Sequence, residues 1–144
     1  MPVRIPAIVL ALQDPVSHAG WSLPHHPQAA SAAREISVAV LGDWHVDEEA
    51  AEVALLVVSE LVTNAVEHAE PPLFLHLTRD PGHRQLRVEV ADGGPALCEG
   101  EWTASCETDE HGRGMGIIDA VTTAHGTLTH PHGATHWATL QTAA

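Results

Sequence analysis

The sequence predicts an α+β fold, a two-layer α/β sandwich in which a mixed, mostly antiparallel sheet carries helices on one face. Three observations lead there. Two long segments repeat apolar residues at helical spacing, and several short runs carry strand signals bounded by turn residues. The elements run strand, helix, helix, two strands, loop, helix, two strands, which is not the alternation of a parallel βαβ array. At 144 residues the chain has the length of one domain. Residues 1–19 are expected to be a poorly ordered N-terminal extension, with the domain proper in residues 20–144. Arg4 followed by Ile5–Leu12 faintly resembles a leader, but Pro6 and the break at Gln13-Asp14-Pro15 argue against a cleaved signal.

Residues 20–24 read as a short strand. A first helix is expected from Pro27 to about Trp44, through Ala30, Ala33, Ile36, Ser37, Val40 and Leu41. Asp47 is placed to cap a second helix, which runs to about His68 and stops before Pro71-Pro72. Leu73–Arg79 and Gln85–Asp92 alternate as strands around the turn signal Asp80-Pro81-Gly82. From Gly93 to Arg113 the periodicity vanishes, as expected of a lid, a binding loop or a disordered stretch. A third helix is expected from Gly114 to about His125, then strands over Gly126–His130 and Ala134–Gln141 about the hinge Pro131-His132-Gly133.

Charge narrows the function. Net charge is −13, with six Arg and no Lys, so a binder of nucleic-acid backbone or of an anionic membrane surface is disfavoured. No apolar run has the length of a membrane span. Two cysteines, Cys98 and Cys106, make no disulfide framework, and their irregular spacing with His111 argues against zinc. The expected setting is the cytoplasm.

Three motifs carry chemistry. In Ser59–Ala69, SELVTNAVEHA, Glu60, Asn64 and His68 recur every four residues along one side of the second helix. Val53, Leu56 and Val57 project on that side too, so the trio is expected to continue a buried face, where polar groups need partners. Asp92 ends its strand on the apolar row of Leu86, Val88 and Val90, as either a turn cap for Gly93-Gly94 or an acceptor aimed into a pocket. Gly112-Arg113-Gly114-Met115-Gly116 opens a helix, as either a hinge or an anion site built of bared backbone N–H groups and a guanidinium. It is no Rossmann turn, lacking an apolar strand before it, and no Walker loop, lacking the Lys-Ser/Thr ending.

Taken together and in this order, with the last strand GATHWATL, the motifs resemble those of the histidine-kinase-like (Bergerat, GHKL) ATPase superfamily, and within it the anti-sigma-factor serine/threonine kinases of bacteria. SELVTNAVEHA is similar to the family's N box, VADGG to its first glycine box and GRGMGI to its second, and the resemblance spans roughly residues 20–142. It implies ATP and Mg²⁺ as cofactors, with Asn64 on the metal and Glu60 as general base. Asp92 would accept from the adenine amino group, with Gly94 allowing close approach. Gly112, Arg113, Gly114, Met115 and Gly116 would wrap the phosphates, Thr135 would support the adenine end, and residues 95–111 would form an ATP lid. The activity implied is transfer of the γ-phosphoryl to a Ser or Thr of an anti-sigma-factor antagonist, in transcription regulation. A sigma factor and a STAS-type antagonist would be the protein partners, and homodimerisation is allowed. The alternative is a nucleotide-binding module that sequesters a partner without kinase activity. The sequence departs from the family pattern at His111 and at His136, which replaces an apolar residue, and in the acidic residues Glu99, Glu101, Glu107, Asp109 and Glu110 of the lid.

Overall fold

The computed structural model describes residues 16–95, 116 and 118–143. The elements are β1 (Ser17–Leu23), α1 (Ala29–Asp43), α2 (Glu48–His68), β2 (Leu73–Asp80), β3 (Gln85–Asp92), β4 (Ala124–His130) and β5 (Gly133–Gln141). Residues 118–121 and Gly116 are helical. The strands form one sheet in the order β1-β2-β3-β5-β4. The two-layer α+β fold is as expected, but every pairing among the described strands is antiparallel, so the sheet is not mixed.

The register explains which face is buried. Leu75 lies opposite Val90, Leu77 opposite Val88, Val88 opposite Ala138 and Leu86 opposite Leu140. These residues form one apolar face, and α2 packs over β3 and β5 while α1 packs on α2 and β1. Val57, Val58, Leu61, Val62 and Ala65 of α2 meet Leu73, Leu75, Leu77, Val88, Val90 and Ile118 in the main core. Leu41, Ala50, Ala54, Leu86 and Leu140 close a smaller one near the start of α2. At roughly 1.5–3 kcal/mol per fully buried aliphatic side chain, this single face dominates the drive to fold.

Several boundaries differ from the sequence reading. β1 starts at Ser17 rather than Gly20, because Ser17, His18 and Ala19 pair with Arg79, Thr78 and Leu77. The helix expected to reach His125 ends at Val121, and β4 begins at Ala124. Thr122 Oγ1 donates to the Ile118 carbonyl at 2.6 Å, and the Thr123 N–H donates to the Thr139 carbonyl at 2.8 Å, so these threonines close the helix and open the strand pairing. The β2–β3 turn is a short 3₁₀ segment, Pro81–His83, whose preceding Asp80 accepts from the His83 N–H at 3.3 Å. The expected loop beyond Pro95, with Cys98, Cys106, the acidic lid residues and Gly112–Met115, lies outside the described residues.

Candidate functional site

Helix α2 is set by its cap. Asp47 is extended, and its carboxylate accepts from the Ala50 N–H at 3.0 Å, with Glu48 and Glu49 in the first turn where the helix dipole favours acids. From there the buried stripe runs down one side, and Glu60 and Asn64 flank it, half-buried. The expectation of a buried face continuing through Leu56 fails, because Leu56 is 40 % exposed while Val57 is fully buried. Glu60 and Asn64 therefore sit at the edge of the helix–sheet contact. Neither side chain makes a hydrogen bond or ion pair to another described residue. His68, at the end of α2, lies 3.5 Å from the Glu67 carboxylate.

The end of α2 is tied to the end of β3. The Gly93 N–H donates to the Glu70 carbonyl at 2.7 Å and the Glu70 N–H donates to the Gly94 carbonyl at 2.8 Å, with Ala69 bridged to Pro95. His25 Nε2 lies 2.7 Å from the Ala69 carbonyl and donates to it. The glycines are required here. A Cβ on Gly93 would fall 2.2 Å from the Pro71 carbonyl oxygen, and Gly94 holds φ +105°, a left-handed value. Across the corner, a Cβ on Gly133 would fall 2.1 Å from the Asp92 carbonyl oxygen. Asn64 and Glu60 lie one and two turns, about 6 and 12 Å along the axis, before the last residue of the helix anchored at this corner.

Asp92 is on the helix-facing row, as strand parity predicts, and its side chain is 1 % exposed. Its Oδ1 accepts from the Gly94 N–H at 2.7 Å, so it does cap the turn. Its Oδ2 lies 3.1 Å from His136 Nε2, and His136 Nδ1 lies 3.0 Å from Thr127 Oγ1. Of the two alternatives read from the sequence, the turn cap is made, and the second carboxylate oxygen, expected as an acceptor aimed into a pocket, meets His136.

Thr135 is not brought to this group. It pairs with Ala91 and Leu128, and its hydroxyl lies 3.0 Å from His130 Nε2 on the outer face of the sheet. There it lines a shallow cavity of about 460 Å³ with His18, Phe74, His76, Glu89 and others, on the side of the sheet away from Asp92. The residue of β5 that reaches Asp92 is His136. Alternation along Ala134, His136, Ala138 and Leu140 was the signal for it, since those four residues share the apolar parity. Gly116 is exposed in the helix, and a Cβ there would meet nothing within 4 Å. Gly112, Arg113, Gly114 and Met115 lie outside the described residues.

On the outer face Arg87 Nε donates to Glu89 at 2.6 Å, and His76 Nδ1 lies 3.0 Å from the other Glu89 oxygen. Burial alone would raise the Glu89 carboxyl, but hydrogen bonds from His76 and Arg87, with their charges, hold it below its usual range. Arg87 also stacks 4.5 Å from the centroid of Trp137. Among the described residues no cluster of three or more His, Cys, Asp or Glu could hold a metal, and no helix is long and apolar enough to cross a membrane.

No curated protein matches the chain. A solved structure of the RsbU and RsbW domains of Rv1364c from Mycobacterium tuberculosis is similar in fold, with a TM-score of 0.67 at 19 % identity. The match covers 90 % of this chain and 33 % of that one, so this chain spans about a third of the length of its neighbour. The family-level match is broader in meaning, for it runs over residues 23–139, from the end of β1 into β5, and takes in the α2 segment and the Asp92 corner. This chain belongs to the histidine kinase-like ATPase domain family.

Proposed function

We propose that this domain is an ATP- and Mg²⁺-dependent regulator of the anti-sigma-factor type, which transfers the γ-phosphoryl of ATP to a Ser or Thr of an antagonist protein in the cytoplasm. The observation that carries this reading is the Asp92 corner. A buried carboxylate on the helix-facing row is hydrogen-bonded into a Gly-Gly turn that is itself tied to the end of α2, below the half-buried Glu60 and Asn64. An acceptor at one end and a carboxylate with a carboxamide at the other suit a ligand with a base and a charged tail. The family match supports ATP as that ligand.

The side chains fit the roles. The Asn64 carboxamide oxygen is the kind of hard donor that Mg²⁺ takes. When bound, Mg²⁺ neutralises phosphate charge, which phosphoryl transfer needs more than covalent chemistry. Glu60, one turn from Asn64, takes the proton of the attacking hydroxyl and orients its oxygen. Asp92 fixes the base. Arg113 and the glycines around it, from the sequence resemblance, hold the phosphates, and with no Lys in the chain they have few substitutes. The sequence resemblance supports an anti-sigma role, with a sigma factor and a STAS-type antagonist as partners, and the neighbouring structure that holds an RsbW domain shares the fold.

The test is transfer of label from γ-labelled ATP to a STAS-type antagonist. The expected result is phosphate on Ser or Thr of the antagonist, lost in Glu60→Ala with ATP binding retained. Binding of ATP and antagonist with no transfer by the unaltered protein would favour the partner-sequestering module instead.

A further inference from the structure

Each oxygen of the Asp92 carboxylate already accepts a hydrogen bond from within the protein. Gly94 N–H occupies Oδ1 at 2.7 Å and His136 occupies Oδ2 at 3.1 Å. Because a carboxylate only accepts, the hydrogen of this second contact sits on Nε2 of the imidazole. In the neutral ring Nδ1 then accepts from the Thr127 hydroxyl, 3.0 Å away. The ring is thus held at both nitrogens. Of the pair, the imidazole is the solvent-facing member, with 35 % of its side chain exposed against 1 % for Asp92.

Resting on the nucleotide reading above, the geometry points to His136 as an intramolecular competitor for the base. Its Nε2–H already donates to the oxygen that an exocyclic amine would take, so an amine reaches Oδ2 by displacing the ring's hydrogen bond or by sharing the oxygen with it. Either way the amine gains less than it would at an oxygen with no donor, and so less over a base without one. His136 is in this sense a specificity-determining residue that lowers the preference for adenine. Remove the imidazole, and the buried Oδ2 has no donor until the ligand supplies it, which raises the worth of the amine.

Calorimetric titration of the full chain with Mg-ATP and with Mg-ITP, whose base carries a carbonyl in place of the amine, reads this directly. His136→Val, which keeps a strand-forming residue without a donor, is expected to raise the ATP-over-ITP affinity ratio roughly tenfold, the scale of one hydrogen bond to a charged group. His136→Gln, whose amide can still donate, leaves the ratio near that of the unaltered protein. Thr127→Val, at an exposed position, frees the far side of the ring and raises the ratio partway, and it decides the matter if His136→Val does not melt cooperatively. An unchanged or lowered ratio in the valine variants, with both nucleotides bound, overturns the role of His136 and leaves the nucleotide site standing. No binding of either nucleotide by any of the four proteins overturns the site and this role together.

Discussion

Asp47 shows how one side chain can serve two parts of the chain. One carboxylate oxygen caps α2 through the Ala50 N–H, and the other accepts from the Ala143 N–H at 2.9 Å. The Ala143 hydrogen bond, helped by that of Ala50 and outweighing the opposing effect of burial, holds the carboxyl below its usual value. A carboxyl lowered in the folded state stabilises above its unfolded value, about 3.9, and loses that contribution as pH falls through the lowered one. Asp47→Ala is therefore expected to cost about 1 kcal/mol at neutral pH in urea unfolding, with the gap to the unaltered protein shrinking below about pH 4. A gap that stays constant down to pH 2 would assign the loss to helix propensity alone. The Asp92–His136–Thr127 chain is the other arrangement at this scale, and here the imidazole was visible in the sequence only as a departure from an apolar position.

At the scale of elements, the glycines separate into those that the fold needs and those it does not. Gly93 packs against backbone, its absent Cβ aimed at the Pro71 carbonyl, which cannot move without breaking the link between α2 and β3. Gly42 lies in the last turn of α1, with nothing within 4 Å of a Cβ. Gly93→Ala is expected to lower stability by roughly 1–3 kcal/mol, and Gly42→Ala to raise it by up to about 1 kcal/mol. Thermal unfolding of the two variants side by side checks the contrast, and equal effects would refute it. The same elements show where sequence reasoning held. The cap at Asp47, the hydrophobic stripe of α2 and the alternation of β2 and β3 were legible because each depends on neighbours within a few residues. The end of the third helix was not, because the switch at Thr122 and Thr123 is made by a hydrogen bond to Thr139 in another strand.

For the whole molecule, net charge of −13 sets the terms on which a nucleotide carrying several negative charges binds. Mg-ATP in hundredfold excess over its dissociation constant is expected to add about 2.7 kcal/mol to stability, a rise in Tm on the order of 10 °C. ATP with a chelator in place of Mg²⁺ should give little shift, and Arg113→Ala should remove most of it with the metal present. A melting curve that ignores Mg-ATP would count against the proposed site. Spacing singled out Glu60 and Asn64 on one side of the helix, the resemblance supplied their proposed roles, and the structure sets both half-buried at the edge of the helix–sheet contact.

By itself the sequence determined the element order, the spacing of Glu60 and Asn64 on one helix and the parity of Asp92, because periodicity and local turn chemistry are written in neighbouring residues, and its motifs carried the resemblance to the family. Only the tertiary structure decided that the sheet is antiparallel throughout, that α2 and β3 meet at Glu70 and Gly93, and that His136 rather than Thr135 stands beside Asp92. The physical reason is register. A strand turns successive side chains to opposite faces, so which of two adjacent residues reaches a site depends on how strands far apart in the chain are paired.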